Sequence, residues 1–467
     1  MSALMIQGAS SSAGKSLVAT ALARALCRRG IDVVPFKAQN MSNNARVVDG
    51  GEIGTAQYLQ ALAARVEPDV RMNPVLVKPE CDNQSQVVVL GRADPTLSAL
   101  PWRRRRGLWP PVRESLHGLL AEHELVLLEG AGSPAEINLR DTDLANMRVA
   151  REAEAPVVLV ADIDRGGAFA HLYGTWALLP ADEQALVCGF VLNKFRGDAT
   201  LLAPAPERLE QLTGIATLGV LPWLAHGLPD EDGVAVPAER QAPAHVAIVC
   251  YPTASNLDEF KQLEQVVDVR YATRHSDLAD AELVVLPGSK HVAADLAWLR
   301  ETGLADLVRA HVARGARLLA ICGGMQMLGE RLSDLAGVDG NAAGLGLLPL
   351  ETHFHADKET RRVTTRFLSL PEPWRELSAR AFDGYAIRHG RSRTTGSVAA
   401  ALPDGLGYVS GGILAVYLHG LFERPDLVEA VVGNAPARSL DQAFDALADA
   451  VEAHLDIPFL LEKAGIS

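Results

Sequence analysis

The sequence predicts an α/β protein made of two parallel-sheet domains in one chain. Three observations carry that expectation. Short, continuously apolar runs alternate with stretches of helical period, the pattern of parallel strands buried on both faces. Most of these runs end in polar residues or glycine, and the carboxyl ends of such strands are where ligands gather. The rhythm also stops at Leu224 to Ala244, where Pro229, Pro237 and Pro243 lie among mixed charges, and then starts again. A length of 467 residues allows two or three domains. The expected division is 1–224 for the first, 225–244 for a linker, 245–438 for the second and 439–467 for a C-terminal helical segment.

The first stretch with chemistry follows the first apolar run, Ala3 to Ile6. It is Gly8-Ala9-Ser10-Ser11-Ser12-Ala13-Gly14-Lys15-Ser16, leading into a helix over Leu17 to Cys27. Strand, glycine turn and helix opening on Gly-Lys-Ser is a P-loop arrangement. Backbone N–H groups and a helix N-terminus converge on phosphate oxygens, Lys15 adds charge, and the Ser16 hydroxyl can ligate magnesium. Five residues separate Gly8 from Gly14, where the usual pattern has four. An ordinary turn before a helix is the plainer alternative, and the flanking strand and helix favour the nucleotide.

Further along, Ile31 to Phe36 reads as a strand ending in Lys37-Ala38-Gln39-Asn40, and Thr55 to Arg65 as an alanine-rich helix. Met72 to Val77 and Gln86 to Leu90 are expected strands flanking Lys78 to Asn83. Buried-type strands follow at Leu125 to Leu128 before Glu129-Gly130, at Val157 to Val160 before Asp162-Ile163-Asp164, and at Val187 to Leu192 before Asn193-Lys194. The run Trp102-Arg103-Arg104-Arg105-Arg106 reads first as a solvated loop. After the linker, strands are expected at Val246 to Cys250, Val267 to Tyr271, Leu283 to Leu286, Arg317 to Ile321 and Ile413 to Leu418. Terminal helix is expected over Ser439 to Leu461.

Composition excludes several classes. With 44 basic and 57 acidic residues the formal charge is −13, a poor balance for general nucleic-acid binding. Cys27, Cys81, Cys188, Cys250 and Cys322 are scattered without metal-pair spacing, as expected for reduced thiols. There is no charged segment before the first apolar run, and no apolar stretch nears the ~18 residues of a membrane span. The expectation is a cytoplasmic protein with no membrane partner.

A second chemical stretch is Arg317 to Gly329, a strand, a sharp turn at Cys322 and a helix opening on Gly323-Gly324. A strained turn of this kind projects a nucleophile above a sheet. N–H groups at the helix start can depress a thiol pKa and stabilise an oxyanion. His419, after another apolar strand, is the expected base, and Gly288 in Leu286-Pro287-Gly288-Ser289 the second oxyanion donor beside Gly323. A buried structural thiol is the plainer reading of Cys322, and the Gly-Gly pair with a strand-end histidine argues against it.

Cys322-Gly323-Gly324-x-Gln326, Pro287-Gly288-Ser289 and Tyr417-Leu418-His419-Gly420 together resemble a class I glutamine amidotransferase domain. The N-terminal half resembles the dethiobiotin-synthetase-like branch of P-loop proteins, where the five-residue gap is usual. Adding Pro35 to Ser42, Met72 to Leu76, Leu128 to Glu136 and Asp162 to Gly167, the chain from Leu4 to Phe422 is similar to the cobyric acid synthase family. That resemblance implies ATP- and glutamine-dependent amidation of the b, d, e and g carboxylates of adenosylcobyrinic acid a,c-diamide, a corrinoid. It further implies acyl-phosphate activation and ammonia from a Cys–His glutaminase site. ATP would meet Gly14, Lys15, Ser16 and Lys37, and magnesium Ser16 and Glu129. Asn193 would recognise adenine or simply end a strand. Gln39, Asn40, Asp162 and Asp164 would lie near nucleotide and corrinoid, or cap helices.

Three positions depart from relatives: Met325 where Tyr is common, Ala386 where Glu is frequent, and Leu421 where many class I amidotransferases carry the acid two residues after the histidine. Without that acid, another group orients the imidazole or the site is a Cys–His dyad. The rival functions are cobyrinic acid a,c-diamide synthase and a non-catalytic regulatory P-loop ATPase. Phe36 to Asn40 argues against the first, and intact Cys322 and His419 against the second.

Overall fold

A computed structural model describes residues 2–81, 84–101, 105–228, 245–436 and 438–466, without the side chains of 80, 81, 84 and 106. Most of the expected linker and Trp102 to Arg104 therefore lie outside the described residues. Two compact units divide at His226/Gly227, and the chain after Ser439 returns to the first. Among the described residues no helix is long and apolar enough to cross a membrane.

The first unit is built on β1 (Ser2–Gly8), α1 (Lys15–Arg28), β2 (Val33–Phe36), α2 (Thr55–Ala64), β3 (Leu125–Glu129), β4 (Val157–Asp162), β5 (Val187–Phe195) and β6 (Thr217–Pro222). The strands form one sheet in the order β6-β5-β4-β1-β3-β2, every pair parallel. β1 is central, and registers of Ile6 with Glu129, Gly8 with Val160 and Asp162 with Asn193 bring the carboxyl ends together. That edge is where the sequence placed its polar clusters.

Two local expectations need correction. Met72 belongs to a 3-10 turn, Val70–Met72, and the strand starts at Val75, after Asn73 and Pro74, and runs on to Cys81. It joins Gln39–Met41, Gln84–Val89 and Arg92–Ala93 in a separate sheet, so Lys78 lies within a strand. Arg105, read as solvated, is buried, and its guanidinium donates to Leu100 O, Ser98 O and Ser85 Oγ. The run of charge says nothing about three acceptors that fold around one of its members.

The second unit restarts the rhythm with β7 (His245–Val249), β8 (Asp268–Ala272), β9 (Leu283–Leu286), β10 (Arg317–Ile321), α3 (Gly323–Leu328) and β11 (Ile413–Val416). Its sheet runs β8-β7-β9-β10-β11, all parallel, and two antiparallel strands, Gly407–Ser410 and Ala399–Leu402, extend the β11 edge. A long antiparallel pair, Leu350–Arg366 with Ala381–Thr394, lies in the segment between β10 and β11.

The expected terminal helix is two helices, α4 (Leu440–His454) and α5 (Ile457–Lys463). Pro458 cannot continue a helix through its own N–H, and Asp456 caps the new start by accepting from Phe459 N at 3.0 Å. α4 packs along α1. Arg24, fully buried, pairs with Asp441 and with Asp445 at 3.6 Å and stacks on Phe444, while Arg28 pairs with Asp449 at 2.6 Å and Glu452 at 3.4 Å. The acids recur at helical spacing opposite the basic stripe of α1, so the last helices brace the helix that carries Lys15 and Ser16.

The buried Arg24 charge depends on that partner helix. Urea unfolding of Asp441→Ala with Asp445→Ala is expected to show a loss of about 2–4 kcal/mol, because a buried charge is left unpaired. Arg24→Met, which removes the charge and keeps the volume, should cost less. The opposite order would contradict this account of the helix pair.

Candidate active sites

In the first unit the turn after β1 is shaped by backbone that only glycine tolerates at one point. Gly14 has φ +94°, and a Cβ there would fall 2.1 Å from Asn193 Nδ2. Asn193, buried at the end of β5, donates to Ala13 O at 2.9 Å, and Lys194 donates to Ser12 O at 2.7 Å and Asp162 at 2.9 Å. The strand-end residues thus hold the loop from behind. Lys15 Nζ donates to Ser10 O at 3.3 Å and Gly132 O at 3.1 Å.

Glu129 is the focus of this site. Its Oε1 accepts from Ser16 Oγ at 2.7 Å and Lys37 Nζ at 2.9 Å, and its Oε2 from Gln60 Nε2 at 2.5 Å. Residues far apart in sequence meet because β1, β2 and β3 are neighbours. The hydroxyl and carboxylate are hard oxygen donors suited to a divalent cation such as magnesium. Of the remaining expected residues, Asn40 bonds Gln57 at 3.1 Å, and Gln39 precedes it on the separate sheet. Asp162 ties Lys194 to the loop and accepts from Asp164 N, while Asp164 pairs at the surface with Arg196 at 3.2 Å.

In the second unit Cys322 sits at φ 50°, ψ −105°, a strained position for a non-glycine residue. Three bonds hold it there: Cys322 N to Val416 O at 2.8 Å, Gly324 N to Pro287 O at 3.0 Å and Gln326 N to Cys322 O at 3.1 Å. A Cβ at Gly324 would fall 2.1 Å from Leu286 O, so the β9 end and the turn can approach only with glycine there. Gly324 N–H is thus engaged, whereas Gly323, first in its helix, has no intrahelical acceptor for its N–H. Gly288 packs directly against the His419 ring. Sγ lies 3.8 Å from Ile387 O, and the sulfur is one of the groups that act on the His419 ring.

His419 is fixed on three sides. Its backbone exchanges bonds with Tyr385 at 3.0 and 3.2 Å, the Tyr385 ring stacks on it at 5.4 Å, and Nδ1 meets Glu259 Oε1 at 2.8 Å. Glu259 Oε2 accepts from Gly420 N at 3.0 Å, so both carboxylate oxygens are used. The orienting acid that Leu421 cannot supply therefore comes from the 3-10 helix Leu257–Gln265, making a Cys–His–Glu set instead of a bare dyad. Sequence reasoning missed Glu259, 160 residues from its partner. No sequence signal marks it; in the fold it is buried with Asn256, three residues before it, which donates to Tyr385 Oη at 3.3 Å. The departing positions Met325 and Ala386 are fully buried and bring no polar group to the site.

Burial alone would lower the His419 pKa, but the Glu259 carboxylate and the Cys322 sulfur outweigh it and raise it to about 10. The ring therefore stays protonated at neutral pH. The linked stability is fully present below the ordinary histidine pKa and is lost as pH rises through about 10.

A family described as "CobQ/CobB/MinD/ParA nucleotide binding domain" matches residues 4–227, and "CobB/CobQ-like glutamine amidotransferase domain" matches 245–427. The chain is 54% identical to a cobyric acid synthase of Variovorax paradoxus and 52% identical to one of Polaromonas naphthalenivorans, each across 97% of both chains. A cobyric acid synthase of Paracidovorax citrulli is 54% identical, again across 97% of both.

Glu259→Gln keeps the shape and removes the charge that raises His419. The His419 titration, followed by NMR of its ring protons, is expected to lie near 10 in the parent protein and to move down in the variant. Glutamine hydrolysis at neutral pH should fall about 10²–10⁴-fold. Identical His419 titrations would contradict the role given to Glu259.

Proposed function

The chain belongs to the cobyric acid synthase family, and from that premise we propose that it amidates the b, d, e and g carboxylates of adenosylcobyrinic acid a,c-diamide, using glutamine and ATP. The observation that carries the reading is one chain with two intact sites, Ser16–Lys37–Glu129 beside the P-loop and Cys322–His419–Glu259 in the second sheet. An amide-forming ligase needs both halves, one to activate an acid and one to release ammonia.

A carboxylate does not accept ammonia directly, because oxide is too poor a leaving group. In this reading a carboxylate oxygen attacks the γ-phosphorus of ATP, ADP leaves, and an acyl phosphate forms. Ammonia then attacks the acyl carbon, phosphate departs, and the nitrogen loses a proton to give the amide. Lys15 and Lys37 offset the charge of the phosphate oxygens, and Gly14 lets the loop backbone close around them. Asn193 supports that loop. Ser16 and Glu129 are the oxygen donors assigned to magnesium, which would neutralise phosphate charge when bound. Asp162 and Asp164 at this sheet edge, and Gln39 and Asn40 on the separate sheet, stay assigned to the substrate side.

In the glutaminase half, Sγ of Cys322 attacks the side-chain amide carbon of glutamine, with Gly288 and Gly323 N–H groups assigned to the oxyanion. Protonated His419 gives its proton to the departing nitrogen, ammonia leaves, and a thioester remains. Water, deprotonated by the now neutral imidazole, attacks the thioester, releasing glutamate and restoring the thiolate. Glu259 keeps the ring oriented through both steps.

Substitution separates the two halves. Cys322→Ala is expected to lose glutamine-dependent amidation and to keep amidation with ammonium salts. Lys15→Ala should lose both. Ammonia-dependent product from the Lys15 variant would contradict the acyl-phosphate route, and loss of both activities in the Cys322 variant would contradict the separation of roles.

A further inference from the structure

Helix α2 presents two buried glutamine amides one turn apart, Gln57 and Gln60, and neither has a role in the reaction proposed above. Their orientations are fixed by neighbours that have no choice. Gln60 Nε2 faces the Glu129 carboxylate, which can only accept, so Oε1 is the atom left over. Asn40 Oδ1 accepts from the backbone N–H of Met41, so Asn40 Nδ2 donates to Gln57 Oε1 and Gln57 Nε2 is left over. Gln60 Oε1 and Gln57 Nε2 are both buried without a hydrogen-bond partner among the described residues. A residue kept only for packing would have no reason to carry an unmatched polar atom in such a place.

The difference between the two amides lies in what they touch. Gln57 bonds Asn40. Gln60 bonds Glu129, on the oxygen opposite the one that meets Ser16 and Lys37. Fixing Oε2 fixes the plane of the carboxylate, and so the direction in which Oε1 faces the P-loop serine. We infer that Gln60 is a positioning residue: through its Nε2–H on Glu129 Oε2 it holds the other carboxylate oxygen beside Ser16 for a divalent cation that accompanies the nucleotide. Groups that orient a ligating carboxylate in this way change metal affinity about 10–100-fold when removed.

This rests on the assignment of Ser16 and Glu129 to magnesium, and the test separates the two. Calorimetry measures the affinity of a non-hydrolysable ATP analogue with magnesium and with EDTA, alongside a thermal melt. Gln60→Met keeps an unbranched, helix-favouring side chain of similar length. It is expected to weaken binding about tenfold or more in magnesium and to leave binding in EDTA unchanged. Gln60→Glu, which sets an acceptor against Glu129, should give the same pattern. Gln57→Met disturbs the same helix without touching Glu129 and should retain the magnesium effect.

If the parent protein itself binds the analogue equally with magnesium and with EDTA, the magnesium assignment falls and this inference with it. If the parent protein shows the magnesium effect and both Gln60 variants keep it, only the role of Gln60 is overturned. An equal loss in Gln57→Met, or failure of both Gln60 variants to fold, would make the pair structural and overturn the role as well.

Discussion

A carboxylate taken almost wholly out of water must be matched on both oxygens, and each unit of this protein is arranged around one that is. Glu129 and Glu259 are 1% and 2% exposed. Unpaired burial of such a charge costs several kcal/mol, so the surroundings are constrained to supply donors. Glu129 is met by a hydroxyl, an ammonium and an amide, and Glu259 by an imidazole and a backbone N–H. In both units the need to satisfy a buried acid places the reactive groups. The hydroxyl of the P-loop serine is one result, and the protonated histidine beside the nucleophile is the other.

The two sheets make this possible by gathering strand carboxyl ends at one edge. β3 carries Glu129 beside β1, whose turn leads to Ser16, and β2 ends just before Lys37. In the second unit β10 ends at Cys322 between β9 and β11, so Pro287 O and Val416 O are at hand to hold its strained turn. Such strain costs on the order of 1–3 kcal/mol and is offset by those fixed bonds. α4 adds a distant support: by packing on α1 it steadies the helix that begins with Lys15 and Ser16.

Much of this was legible in the sequence because it is local. Continuous apolar runs mark the parallel strands, the Gly-Lys-Ser turn marks the phosphate loop, and Cys-Gly-Gly after a strand marks the elbow. What was not legible depends on pairing across the chain. Glu259 carries no motif and lies among 57 acidic residues, and its importance is visible only when His419 is brought against it. Gln60 looks like an ordinary residue of an alanine-rich helix until β3 is placed beside it. Arg105 reads as solvent-facing because its acceptors, two backbone oxygens and the Ser85 hydroxyl, are ones that no sequence pattern announces. The return of α4 to the first unit is likewise a matter of matched stripes, Arg24 and Arg28 against Asp441, Asp445 and Asp449, that lie over 400 residues apart.

In the reaction proposed for it, one chain makes ammonia from glutamine and joins it to an activated corrinoid carboxylate. Mass spectrometry of adenosylcobyrinic acid a,c-diamide after incubation with the parent protein, ATP, magnesium and glutamine labelled with nitrogen-15 in its side-chain amide tests it most directly. The expected product is a corrinoid in which four carboxyl groups have become amides, each carrying the heavy nitrogen. A corrinoid of unchanged mass, with glutamine consumed or not, would contradict it.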